Sequence, residues 1–177
     1  MKLTGLRLAA LVAMLFTTLA WGSDTEQRLK AVYLGRFAEY VQFPAGRNDH
    51  AEFVIAVLGP DPFGGQLQTL YQERRIHRKS VRVVQAAHLQ DVPPCDLLYI
   101  SLPTQAARDA ALEFAARHQV LTVSDARGFA ARGGIIQIGF VEQKARILIN
   151  HTAAIRNGLQ IRAPLLSIAT VLQGEQP

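Results

Sequence analysis

The chain has 177 residues, 49% of them apolar and 19% charged, with a formal net charge of +5 and one cysteine. That length suits one domain with a core of its own, and the charge is too mild to argue for a nucleic-acid partner. A lone Cys95 excludes an intrachain disulfide and any thiolate-rich zinc centre.

The first residues read as an export leader. Lys2 and Arg7 form a basic start. Leu8–Leu19 is an apolar segment of about a dozen residues, too short for a hydrocarbon layer of roughly 30 Å. Ala20-Trp21-Gly22 places small residues for cleavage after Gly22, and no Cys stands there to mark a lipoprotein. An uncleaved anchor is the alternative. The expected organisation is a leader over 1–22 and one exported domain over 23–177, which keeps 17 basic and 14 acidic side chains.

Thr25–Val41 has the period of an amphipathic helix, with Leu29, Val32, Tyr33, Phe37 and Tyr40 on one stripe and Arg28, Lys30, Arg36 and Glu39 on the other side. That stripe either packs on a sheet or meets a partner. Pro44 ends the helix. Phe53–Leu58 is a continuous apolar run, as in a strand covered on both faces. Gly59-Pro60-Asp61-Pro62-Phe63-Gly64-Gly65 follows, then a helix over Gln66–Gln72. Nucleotide binding is not expected at this loop, because Gly65 and Gln66 stand where the Walker pattern needs Lys. A small anion held by the backbone N–H groups at the helix start is the alternative. Arg74, Arg75, Arg78 and Lys79, with His77 among them, predict a solvated turn before a strand at Val81–Val84; an acidic partner surface is the other reading.

Pro93-Pro94 leads into the strand Leu97–Ile100, with Cys95 expected as a buried thiol. A helix runs from Pro103-Thr104 to His118, and the strand Val120–Val123 follows. Strand, helix and strand in such a short span predict a parallel βαβ unit, as do Phe53–Leu58, its helix and Val81–Val84. Ser124-Asp125 is a turn or cap signal, and Gly133-Gly134 are free to take positive φ. Ile135–Val141 and Arg146–Ile149, split by Glu142-Gln143-Lys144, read as a β-hairpin. Asn150 opens a helix stopped by Gly158, Leu159–Ile161 is extended, and Pro164 opens a last helix over Leu165–Leu172. The fold class is therefore α/β: one three-layer domain, a mostly parallel sheet flanked by helices, with a β-hairpin in the C-terminal half.

Five histidines (His50, His77, His88, His118 and His151) show no HxxxH or HExxH spacing, so neither a metal site nor a cofactor is expected. Ser124, Asp125 and His151 supply the residue types of a hydrolytic triad, but no GxSxG elbow accompanies them, and no catalytic residue is assigned. Two loops follow the C-terminal ends of strands expected to be parallel, and that edge is where open α/β sheets place ligands. Asp61, Phe63, Gly64, Ser124, Asp125, Arg127 and Phe129 fall there, with Arg156 expected near it. They are the candidate ligand- or partner-binding residues, and structural turns explain most of them equally well.

Several segments in order resemble the YfiR-like family of periplasmic regulators: KAVYLGRFAEYVQFP (Lys30–Pro44), VLGPDPFG (Val57–Gly64), CDLLYIS (Cys95–Ser101), VLTVSDARGFAARGGIIQI (Val120–Ile138) and ILINHTAAIRNGLQIRAPLLSIA (Ile147–Ala169). The resemblance implies a small periplasmic α/β domain without catalysis. It also implies binding to the periplasmic sensor domain of a YfiN-type inner-membrane diguanylate cyclase. Such binding represses the cyclase and so controls cyclic di-GMP and biofilm formation, and a YfiB-type outer-membrane lipoprotein draws the repressor away. Family members with several cysteines can be disulfide-stapled; this chain, with Cys95 alone, cannot be. The alternative is a periplasmic small-ligand sensor or accessory subunit for a sensor histidine kinase. A homodimer is the expected assembly.

Overall fold

The apolar runs of the sequence become the middle strands of a mixed sheet. A computed structural model describes residues 25–46 and 51–172; the leader and His50 lie outside the described residues. The first half comprises α1 (residues 25–39), β1 (Val41–Gln42), β2 (Glu52–Leu58), α2 (Gln66–Tyr71), β3 (Arg75–Ile76), β4 (Lys79–Ala86) and β5 (Leu97–Ile100). The second comprises α3 (Gln105–Arg117), β6 (Leu121–Ser124), β7 (Ile136–Val141), β8 (Lys144–Asn150), α4 (His151–Arg156), β9 (Gln160–Ile161), α5 (Ala163–Leu166) and β10 (Thr170–Leu172).

Eight strands form one sheet in the order β10-β8-β7-β6-β5-β2-β4-β3. The run from β4 through β2, β5 and β6 to β7 is parallel. The hairpin β7–β8 and the β3–β4 pair are antiparallel, and β10 runs parallel to β8. One face, carrying Ile55, Val57, Leu97, Tyr99, Leu121 and Val123, packs against α1, α2, α4 and α5. The other, carrying Val54, Ala56, Leu58, Leu98 and Ile100, packs against Ala111 and Ala115 of α3 and against Phe129. With both faces covered, β2 from Phe53 onward and β5 read as unbroken apolar runs, while β6 buries Thr122 and Ser124 alongside its apolar residues. Because β2 connects outward to β4 while β5 starts on its other side, the C-terminal ends of β2, β5 and β6 share one edge at a switch in strand order.

Several expectations need correction. The face that α1 buries is Ala31, Leu34, Phe37 and Ala38, whereas Leu29 and Val32 are 38% and 37% exposed and Lys30 is only 7% exposed. Leu34 and Ala38 lie on the same side as Phe37, so the true stripe is rotated by part of a turn, which apolar spacing alone leaves open. The helix also ends sooner than expected, and Val41 pairs with Ile161 as a strand. The basic run Arg74–Lys79 is a β3–β4 hairpin whose tip residues His77 and Arg78 have φ of 51° and 66°. The expected last helix is one turn followed by β10. The β-branched Thr170 and Val171 there gain a ladder beside β8 that a longer helix would forgo. Gly133 has positive φ (99°) as foreseen, but Gly134 does not. Its missing side chain instead admits the Phe129 ring, which would lie 2.2 Å from a Cβ. The hairpin turn is Glu142-Gln143 alone, both with positive φ, so Lys144 already pairs with Val141.

One contact fixes α1 against α2. The Tyr71 hydroxyl donates to Ala31 O at 2.7 Å and accepts from Gly35 N at 2.7 Å. Those are the two groups that a regular helix pairs with each other, so the phenol is inserted into the ladder of α1. A Cβ on Gly35 would lie 2.5 Å from that oxygen, which explains a glycine inside a helix. Burial pushes the Tyr71 hydroxyl up to about 12.

Candidate functional site

The shared C-terminal edge of β2, β5 and β6 is built mainly by side chains that hold its own loops. After β2, Gly59 turns with φ of 96° so close to the next loop that a Cβ would meet Ser101 O at 2.9 Å. Asp61 then folds the loop on itself, its carboxylate accepting from Phe63 N at 2.8 Å and Gly65 N at 3.0 Å. This turn drives Phe63 inward, where it is fully buried and meets Tyr99 edge-on at 4.9 Å. Gly64, with φ of 54°, stays at the surface.

After β6, Ser124 is fully buried. Its hydroxyl donates to Ile100 O at 2.6 Å and accepts from Ala126 N at 3.1 Å, so it ties two adjacent loops. Its proton is held by a carbonyl, which is not the arrangement of an activated nucleophile. Phe129 is a core residue, and Arg127 is exposed. Asp125 points back over the first face, accepting from Lys30 Nζ at 2.8 Å; Lys30 also pairs with Glu26 at 2.8 Å. Burial alone would lower the Lys30 ammonium, but its hydrogen bonds and attraction to Asp125 and Glu26 outweigh that and hold it above its ordinary value. Beneath this triplet the Tyr99 hydroxyl is buried with no hydrogen-bond partner among the described residues. Burial first, and then the negative charge of Asp125, raise its pKa.

The edge thus brings together Asp61, Phe63, Gly64, Ser124, Asp125, Arg127 and Phe129, and Gly64 borders a cleft. That cleft, about 480 Å³, lies between α1 and the start of α2, with Arg28, Val32, Gln66 and Leu70 among its walls. Arg156 is a correction. It ends α4, and Gly158 two residues on sits beside Gln119 and Pro44, at the edge where β6 begins. The short hairpin β7–β8 reverses the chain, so α4 ends at the edge opposite the Asp61 and Ser124 loops. Lys30 and Tyr99 were not singled out in the sequence. Lys30 carried a signal, since it stands one residue before Ala31 and four before Leu34, within the buried arc. Tyr99 inside an apolar strand gave none.

A family profile matches residues 27–170, from the first turn of α1 to the first residue of β10. The chain belongs to the YfiR/HmsC-like family. The match takes in both βαβ units, the hairpin and the whole edge described above. No curated protein matches the chain. Among solved structures, a conserved domain protein from Vibrio cholerae O1 biovar El Tor is similar, at 18% identity and a TM-score of 0.49 over 68% of this chain and 54% of that one. This chain therefore spans about half the length of that protein.

Proposed function

We propose that this family member is a periplasmic regulatory binding protein that represses a membrane-bound diguanylate cyclase by docking on its periplasmic sensor domain. The observation that carries the reading is the family match over nearly the whole domain. It is supported by the edge geometry, where the Ser124 hydroxyl and the Asp61 carboxylate are engaged by their own loops. On this reading residues 1–22 are a leader removed on export and residues 23–177 act outside the inner membrane.

Repression requires only differential affinity. A docked protein that binds the inactive sensor conformation about 3 kcal/mol better than the active one shifts that equilibrium roughly a hundredfold. Release by a YfiB-type outer-membrane lipoprotein follows if the lipoprotein competes for this chain. The exposed members of the edge, Arg127 and Asp125, then belong to the contact surface, and a homodimer would present two such surfaces. Deleting the gene is expected to raise cellular cyclic di-GMP and biofilm mass, with restoration by the exported chain. An unchanged cyclic di-GMP level in the deletion strain removes the cyclase from the reading.

The cleft of about 480 Å³ beside Gly64 favours a second reading, a small-ligand sensor serving a kinase, since ligand sites commonly have such volumes. A thermal-shift screen with amino acids and nucleotides separates the two, because only a ligand sensor is stabilised.

A further inference from the structure

The cleft at Gly64 does not end at the start of α2. A second hollow of about 390 Å³ continues it along the same two helices, and Val32 lines both. The resulting trough follows the exposed side of α1 from Arg28 past Val32 to Arg36, a rise of about 12 Å, and its other wall runs from Leu70 to Arg74 and Arg75. Tyr71, inserted into α1, holds the two walls at a fixed spacing.

Its chemistry is one-sided. Four arginines line the trough against a single carboxylate, Glu39. All four are exposed, and none is ion-paired with a carboxylate among the described residues. Elsewhere on the same helix Lys30 is fully paired, whereas these guanidinium groups meet no carboxylate among the described residues, Arg75 donating instead to the Arg78 carbonyl at 3.1 Å. Between them the floor is apolar, with Val32 37% exposed beside Ala31 and Leu70. Guanidinium groups bind carboxylates in a two-pronged fashion. Arg28, Val32 and Arg36 repeat at the helical interval, so the matching ligand carries acid, apolar and acid side chains at successive turns. A concave trough between helices suits a helix laid into it and does not suit a flat bilayer.

We infer that the α1–α2 trough is a docking site for an acidic amphipathic helix of a protein partner. Arg28, Arg36, Arg74 and Arg75 grip its carboxylates, and Val32 meets its apolar stripe. The inference rests on the reading of this chain as a partner-docking regulator, and the test separates the two.

The purified periplasmic sensor domain of the diguanylate cyclase is titrated calorimetrically into the mature chain, the Arg36→Glu/Arg74→Glu variant and an Arg117→Glu control on α3, across the sheet. Thermal unfolding verifies that each is folded; Arg28→Glu alone serves if the double variant is not. The double reversal is expected to weaken binding by roughly thirtyfold or more, since it replaces attraction by like-charge contact, while the control stays within about twofold. Equal affinity for the double variant overturns the trough and leaves the docking function standing. Failure of the unaltered chain to bind the sensor domain overturns the docking reading. The trough is then judged by amide shifts on adding a synthetic amphipathic peptide with glutamates at successive turns. Shifts confined to α1 and α2 that vanish with a lysine-for-glutamate peptide uphold it. Absent shifts overturn it, as does arginine-dependent binding to phosphatidylglycerol vesicles without peptide binding.

Discussion

Replacing Tyr71 by Phe isolates the hydroxyl inserted into α1. The ring is retained, so no cavity opens. What is lost is one acceptor for Gly35 N and one donor to Ala31 O, both at 2.7 Å and both buried. At about 1 kcal/mol net for each hydrogen bond, the expected loss is about 2 kcal/mol. The helix cannot simply close the gap, because Tyr71 ring atoms already lie 2.8 and 3.0 Å from where a Gly35 Cβ would stand. The ionisation of the phenol adds a second signature. Its folded pKa of about 12 is raised above the ordinary phenol value of about 10, because burial disfavours the phenolate. A raised pKa contributes stability that is fully present below pH 10 and is lost as pH climbs to 12. Two units amount to about 3 kcal/mol. Urea unfolding at pH 7.5 should therefore show the variant about 2 kcal/mol less stable, and a series from pH 9 upward should show the two proteins converging. Equal stability at pH 7.5, or parallel curves to high pH, would refute the insertion.

Other perturbations test the edge and its supports. Gly35→Ala ordinarily stabilises a helix by about 1 kcal/mol, but here the 2.5 Å approach to the Tyr71 hydroxyl should make it destabilising by roughly 2 kcal/mol, read by thermal unfolding. Gly59→Ala combines positive φ with a Cβ 2.9 Å from Ser101 O, a backbone atom that cannot swing away, so a loss of about 3 kcal/mol in a urea titration is expected. Ser124→Ala should lower stability by about 1–2 kcal/mol through its two loop-tying hydrogen bonds while leaving affinity for the sensor domain unchanged; lost affinity would restore Ser124 to the contact surface. Replacing Glu142-Gln143 by Asn-Gly should raise the unfolding midpoint by the equivalent of about 1 kcal/mol, because both positions already have positive φ.

How much of this was legible beforehand varied with the kind of signal. Runs apolar on both faces, such as Phe53–Leu58 and Leu97–Ile100, announced buried parallel strands, because they are bounded by turn signals and too short for an ordinary core helix. Asn150 and Gly158 marked the two ends of α4, since side-chain capping and positive φ are local properties. The site was less legible. Asp61, Ser124 and Asp125 do gather on one edge, but the sequence could not say whether their polar atoms face a ligand or their own loops. Phe63 and Phe129, which carry the same loop signature, turn inward to the core.

Local chemistry alone determined the fold class, the order of the elements and most of their limits, because hydrophobic period, caps and turn residues act within a few positions of the chain. Tertiary structure decided what depends on distant partners. It set which arc of α1 is buried, that Val41 and Thr170–Leu172 become strands by pairing with β9 and β8, and that Arg156 ends at the far edge. It also brought Arg28 and Arg36 of one helix opposite Arg74 and Arg75 beyond the next. The physical reason is that a ladder hydrogen bond, a buried phenol and a shared field of charge are each made by two segments, and the spacing within either one says nothing about the other.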